Sequence, residues 1–157
     1  MDLAEIIDSR AVLANVKAQN KKQLLQDLAQ SMAGLVAVDQ RIIFETLLTR
    51  EKPGSTGIGQ GLAIPHGKMP GLTRVYGLFA KLAQPILYDS LDGEPVDLVF
   101  VLLAPDHAGA DALKALARIS RLLREKDTIA KLRGTDTPEG LYAILTEPQA
   151  GMGSQAN

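Results

Sequence analysis

Cysteine and tryptophan are both absent from this chain of 157 residues, and aromatic residues make up only 4% of it. Without cysteine there is no disulfide framework, no thiolate zinc site and no catalytic thiol. No apolar run approaches the roughly 20 residues that a membrane-spanning helix needs, so no membrane insertion is expected. Charge of one sign is not in excess: the formal net charge is −1, which gives no electrostatic footprint for nucleic acid or for a lipid surface. A Walker loop is missing, because Gly54-Ser55-Thr56-Gly57 runs on into Ile58 and Gly59 where a lysine and a hydroxyl residue would be needed. The two histidines and the scattered carboxylates lack the number and spacing of zinc ligands, so neither a metal nor another cofactor is expected. The first residues, Met1-Asp2-Leu3-Ala4-Glu5, lack the basic-then-apolar order of a signal peptide, and a cytoplasmic protein is expected.

What remains is an ordinary globular composition, 46% hydrophobic and 22% charged. The length suits one domain with a sizeable core. That domain is expected over residues 1–147. From Pro148 the chain turns polar and glycine-rich, and residues 148–157 are expected to form a disordered tail.

Hydrophobic spacing places the elements. Leu3 to Ile7 reads as one or two helical turns, and Ala11 to Val16 as a short strand. Asn20 is an N-cap candidate with Gln23 three residues on, opening an amphipathic helix over 21–36 with Leu24, Leu25, Leu28, Met32 and Leu35 as its stripe. Asp39 caps a second helix that runs to about Arg50. Residues 51–61 read as a loop, Leu62-Ala63-Ile64 as a buried strand, Met69-Pro70-Gly71 as a turn, and 73–82 as a strand. Asp92-Gly93 is a turn signal. The nearly continuous apolar run from Val96 to Leu103 predicts a central strand buried on both faces. A helix follows, starting between Gly109 and Ala112, with Lys114, Arg118 and Arg121 on what reads as a solvated face. A short helix is expected over roughly 127–132, and Thr137-Pro138 starts the last. Strands and helices interleave, so the class is α/β with helices on both faces of a sheet.

The most unusual stretch is Gly54 to Gly67, with five glycines, two hydroxyls, a proline and a histidine. Glycines at this density make a shaped loop whose amides can form a concave anion site. Pro65 fixes its own φ and biases Ile64 to extended backbone, so His66 follows a short strand. On the residues alone His66 has two readings. It is either a structural histidine donating to a backbone carbonyl, or a neutral nucleophile beside an anion cradle. Arg50 likewise serves either the C-terminal dipole of its helix or a phosphoryl group as a bidentate cation. Ser55, Thr56 and Gly57 are either ordinary loop residues or donors to a transferring phosphoryl group. Gly59 and Gly67 shape backbone, and Lys68 is a solvated lysine or a further cation.

The run Arg50-Glu51-Lys52-Pro53-Gly54-Ser55-Thr56-Gly57-Ile58-Gly59, with Ala63-Ile64-Pro65-His66-Gly67-Lys68, closely resembles enzyme IIA of the bacterial phosphotransferase system. The fructose/mannitol branch fits, and within it the nitrogen-regulatory type. The likeness spans roughly residues 1–146. It implies a three-layer α/β/α domain with a central mixed sheet. It implies that His66 accepts a phosphoryl group from an HPr-like phosphocarrier with Arg50 nearby. From the chemistry of the residues, Arg50 and the loop amides around Ser55, Thr56, Gly57 and Gly59 are then expected to neutralise its charge. It also implies regulated targets such as sensor kinases or transporters. The alternatives are a sugar-transport component that passes phosphate to a IIB domain, and a binding-only regulator. One position departs from the family. Many relatives carry a second histidine near the phosphorylated one, and that position here is Ala112. His107, five residues earlier, reads as an incidental loop histidine.

Overall fold

The computed structural model describes residues 2–147. The expected disordered tail, 148–157, lies outside the described residues. Six strands form one mixed sheet in the order β1-β5-β6-β3-β2, with β4 also paired to β6. In chain order the elements are α1 (Leu3–Ile6), β1 (Ile7–Val16), α2 (Lys21–Val36), α3 (Gln40–Glu51), β2 (Gly57–Gly59), β3 (Leu62–Ala63), β4 (His66–Met69), β5 (Tyr76–Ile86), β6 (Val96–Pro105), α4 (Ala110–Leu123), α5 (Lys126–Arg133) and α6 (Pro138–Thr146). Strand β1 runs parallel to β5, β5 antiparallel to β6, and β6 parallel to both β3 and β4.

The valine-rich run forms the central strand, as its composition predicts. Val99, Phe100, Val101 and Leu102 are successive residues, so their side chains alternate between faces, and none is more than 3% exposed. Both faces are therefore covered. Helices α2 and α3 pack on each other and on β1, β5 and β4, while α4, α5 and α6 form a separate group against β6 and β1. This is the expected three-layer arrangement.

The caps fall where the sequence puts them. Asn20 Oδ1 accepts from Gln23 N at 2.8 Å, and Thr137 Oγ1 accepts from Gly140 N at 3.1 Å with Pro138 in the first turn. Several expectations need correction. Strand β1 begins at Ile7, not Ala11, because Ile7 pairs with Gly77 and is fully buried. Strand β5 starts at Tyr76 and continues through Pro85 to Ile86. The 51–61 segment contains a strand, β2, joined to β3 by Gln60-Gly61. Both residues have positive φ (57° and 80°), the signature of a tight hairpin turn. Met69, read as part of a turn, closes β4. Arg118 does not lie on a solvated face. It shares the buried side of α4 with Ala115, Ile119 and Leu122, and burial lowers its pKa, with a smaller push from Arg121.

Candidate functional site

The site forms where one strand is cut in two. Segments β3 and β4 lie end to end along β6, pairing Leu62 with Leu98 and Ala63 with Val99, then His66 with Leu102 and Gly67 with Leu103. Ile64 and Pro65 separate them. Pro65 has no N–H for the ladder, but its carbonyl still accepts from Leu102 N at 3.0 Å, which keeps the register across the break. His66 is thus the first residue of a new strand segment. It therefore pairs within the sheet, and does not follow a finished strand as its sequence suggests.

The geometry around the ring decides its tautomer. Nδ1 lies 2.7 Å from the carbonyl oxygen of Ile64. A carbonyl can only accept, so Nδ1 carries the proton and Nε2 holds a free lone pair. Nε2 faces the guanidinium of Arg50, whose Nε donates to it at 3.3 Å. The bland reading of His66, a donor to backbone, is therefore half of the functional one. The hydrogen bond on one nitrogen leaves the other with an available lone pair, the state a nucleophilic imidazole requires.

Arg50 sits in the last turn of α3. Helix α3 comes close enough because residue 67 is glycine. A Cβ there would lie 2.6 Å from Thr46 Cγ2, inside any tolerable contact. Arg50 is one helical turn beyond Thr46. Its Nη1 donates to Gly54 O at 3.0 Å, so the guanidinium is held at one end by the loop and at the other by the imidazole.

The remaining candidates are placed differently. Ser55 Oγ donates to Tyr88 O at 2.8 Å and accepts from Gly57 N at 3.0 Å. Thr56 is buried, its N–H donates to Glu51 Oε1 at 2.9 Å, and its hydroxyl donates to Glu51 Oε2. These hydroxyls, and the amides of Thr56 and Gly57, are engaged by Glu51, by Ser55 itself and by the Tyr88 carbonyl, which hold the loop's shape. Gly59 belongs to the β2–β3 hairpin, with a φ of 103°. Lys68 is exposed and shares with His66 a hollow of about 220 Å³ whose other walls include Leu102, Ala104, Ala112, Leu113 and Leu116. Ala112 therefore does stand beside His66, and what it leaves there is apolar space. His107 is exposed, its ring 3.4 Å from Asp106, and is not part of that hollow. Among the described residues no cluster of three histidines and carboxylates is placed to hold a metal ion.

Sequence reasoning passed over three participants. Glu51 is 8% exposed and, besides Thr56, takes the ammonium of Lys21 at 2.9 Å. The same ammonium lies 4.5 Å from the ring centre of Tyr88. The Tyr88 phenol, 3.3 Å from Thr56 Oγ1, is pushed far above the usual tyrosine range, first by burial and then by the charge of Glu51.

A family model described as "Phosphoenolpyruvate-dependent sugar phosphotransferase system, EIIA 2" matches residues 5–147. The chain belongs to this family. Among its EIIA type-2 relatives, a nitrogen regulatory protein of Bradyrhizobium diazoefficiens is 51% identical over 150 residues, covering 96% of this chain and 98% of that protein. The crystal structure of nitrogen regulatory protein IIA-Ntr from Neisseria meningitidis superposes with a TM-score of 0.86 at 33% identity, over 92% of this chain and 99% of that one. IIA mannitol from Escherichia coli shares the fold at 16% identity, with a TM-score of 0.74 over 88% of this chain and 97% of that one. The EIIA chain is thus similar to the nitrogen-regulatory type, as its motif wording suggests. No helix among its described residues is long and apolar enough to cross a membrane.

Proposed function

We propose that this chain is a phosphorelay protein whose acceptor is Nε2 of His66. The observation that carries the reading is the pair of contacts on one ring: Nδ1–H held by Ile64 O, and Nε2 facing the Arg50 guanidinium. The donor is a histidine-phosphorylated, HPr-like carrier. In the transfer step the Nε2 lone pair forms a bond to phosphorus as the donor's N–P bond breaks. The electron pair of that bond returns to the donor imidazole. The Nδ1 proton stays on nitrogen, hydrogen-bonded to the Ile64 carbonyl, so no separate base is required. Arg50 is a planar, permanently charged donor beside the phosphoryl oxygens, and positioning plus electrostatics carry such a reaction. The loop 54–59 acts by shape, holding Arg50 through Gly54 O.

Downstream, the reading is regulatory. A phosphoryl group adds close to two negative charges at one point, which is enough to make or break a docking surface for target proteins. The likeness to nitrogen regulatory proteins supports this over sugar transport. The setting is the cytoplasm, where phosphoenolpyruvate feeds the carrier.

The test mixes the protein with phosphoenolpyruvate, enzyme I and the HPr-like carrier and follows intact mass, with His66→Ala alongside. The expected result is one phosphoryl group gained by the wild type and none by the variant. No gain with an active carrier and folded protein would defeat the relay and leave a domain that works by binding alone. Transfer onward to a IIB domain would return the protein to sugar transport.

A further inference from the structure

Glu51 is a buried carboxylate one residue away from Arg50, and the two side chains leave the last turn of α3 in different directions. Arg50 reaches the imidazole. Glu51 turns inward and accepts from both the N–H and the hydroxyl of Thr56, which closes residues 51–56 into a ring. Gly54, whose carbonyl holds Arg50 Nη1 at 3.0 Å, lies inside that ring. A second observation points the same way. Lys21 occupies the first position of α2, where a cation opposes the helix dipole. Its ammonium sits 2.9 Å from Glu51 and over the ring of Tyr88, so a locally unfavourable charge is retained where it compensates the buried carboxylate.

We propose that Glu51 is a positioning residue for the phosphoryl-transfer site, acting through Arg50. Its carboxylate, neutralised by Lys21, closes the 51–56 ring, and the ring fixes the Gly54 carbonyl that steers the guanidinium onto Nε2 of His66. The inference rests on the relay reading above. It adds that charge stabilisation by Arg50 depends on a salt bridge on the far side of the loop, which touches neither the imidazole nor the phosphoryl group.

A purely structural role would slow transfer equally whether or not Arg50 is present, so the test is a double-mutant cycle in the full chain. Initial transfer rates from the phosphorylated carrier are measured for wild type, Glu51→Gln, Arg50→Ala and the double variant, with circular dichroism on each. Alongside, the Arg50 Nε–H resonance is followed by ¹H–¹⁵N NMR without any phosphoryl donor. Glu51→Gln is expected to slow transfer by on the order of 10- to 100-fold, the range for a misplaced catalytic group. In the Arg50→Ala background it is expected to add almost nothing. The Arg50 Nε–H signal is expected to move to the position of freely exchanging arginines. Should Glu51→Gln not fold, Thr56→Val, which removes one donor to the same carboxylate, serves in its place. Equal slowing in both backgrounds, an unchanged rate, or an unmoved Arg50 signal in folded protein would overturn the proposal. A wild type that takes no phosphoryl group would defeat the relay reading, while the NMR signal would still report whether Glu51 holds Arg50.

Discussion

The guanidinium of Arg50 meets Nε2 of His66 at 3.3 Å, on the side of the ring left unprotonated by the bond from Nδ1 to Ile64. In the proposed relay this contact assigns Arg50 to receive phosphoryl charge as it arrives. Removing one preorganised donor to a developing anion costs about 10²- to 10³-fold in rate. Arg50→Ala is therefore expected to slow transfer to that extent while leaving thermal stability nearly unchanged. Arg50→Lys is expected to restore only part of the rate, because an ammonium keeps the charge but loses the planar fork. Rapid-quench intact mass spectrometry of both variants checks this, and a wild-type rate in Arg50→Ala would remove Arg50 from the mechanism.

The approach of α3 to the site depends on the missing side chain at residue 67. Gly67→Ala drives a methyl to 2.6 Å from Thr46 Cγ2. It is expected to lower stability by about 1–3 kcal/mol, the usual cost of overpacking, and to slow transfer because Arg50 moves with α3. Adding Thr46→Ser removes the opposing methyl and keeps the hydroxyl that donates to Ile42 O. Urea denaturation and transfer rates are expected to recover together in the double variant. Recovery of stability without recovery of rate would separate the glycine from the site.

Ala112 and His66 line the same apolar hollow, and a histidine at position 112 is expected to reach a phosphoryl oxygen across it. A net hydrogen bond contributes about 0.5–1.5 kcal/mol, which corresponds to roughly 2- to 10-fold. Ala112→His is expected to lengthen the lifetime of the phosphorylated protein by that factor, followed as decay of the phosphorylated mass peak. A shorter or equal lifetime would show that the hollow does not open towards the phosphoryl group.

Tyr88 sets an alkaline limit on the fold. Its phenol stays protonated well above the ordinary value of 10.0 in the folded protein, through burial and then the charge of Glu51. The unfolded chain releases that proton first as pH rises past about 10. The stability contribution is therefore complete below that pH and is lost above it, by up to about 1.4 kcal/mol per pH unit for one proton. Tyr88→Phe is expected to lose a little stability at pH 8, with the hydroxyl contact to Thr56 gone, yet to decline less steeply between pH 10 and 11. Urea midpoints at these values decide it, and parallel declines would place the alkaline sensitivity elsewhere.

The helices and the central strand were legible in the sequence because each leaves a local mark, whereas the pairing of His66 with Arg50 was implied only by the family resemblance. Leu24, Leu25, Leu28 and Met32 recur at helical spacing, Val96 to Leu103 is apolar throughout, and Thr137-Pro138 opens α6 with its own cap. The hairpin turn at Gln60-Gly61 had only its glycine as a local mark, since glutamine does not favour the positive φ it adopts there, and the density of glycine around it hid β2. What was not legible is what depends on distant segments. Gly67 needs Thr46 of α3, Glu51 needs Lys21 of α2, and Ser55 needs the carbonyl of Tyr88 beyond β5. Arg118 misled because it stands at helical spacing from Ala115 and Leu122 as well as from Lys114 and Arg121, and it falls on the apolar stripe, where even its Nη1 is buried.

The central claim is that Nε2 of His66, beside Arg50, is the atom that takes the phosphoryl group. Its most direct test is ¹⁵N NMR of histidine-labelled protein after incubation with the phosphorylated carrier. The account predicts that the Nε2 resonance of His66 shifts and couples to phosphorus while Nδ1 keeps its proton. A phosphoryl group on Nδ1, on another residue, or on no residue in the presence of active carrier would contradict it.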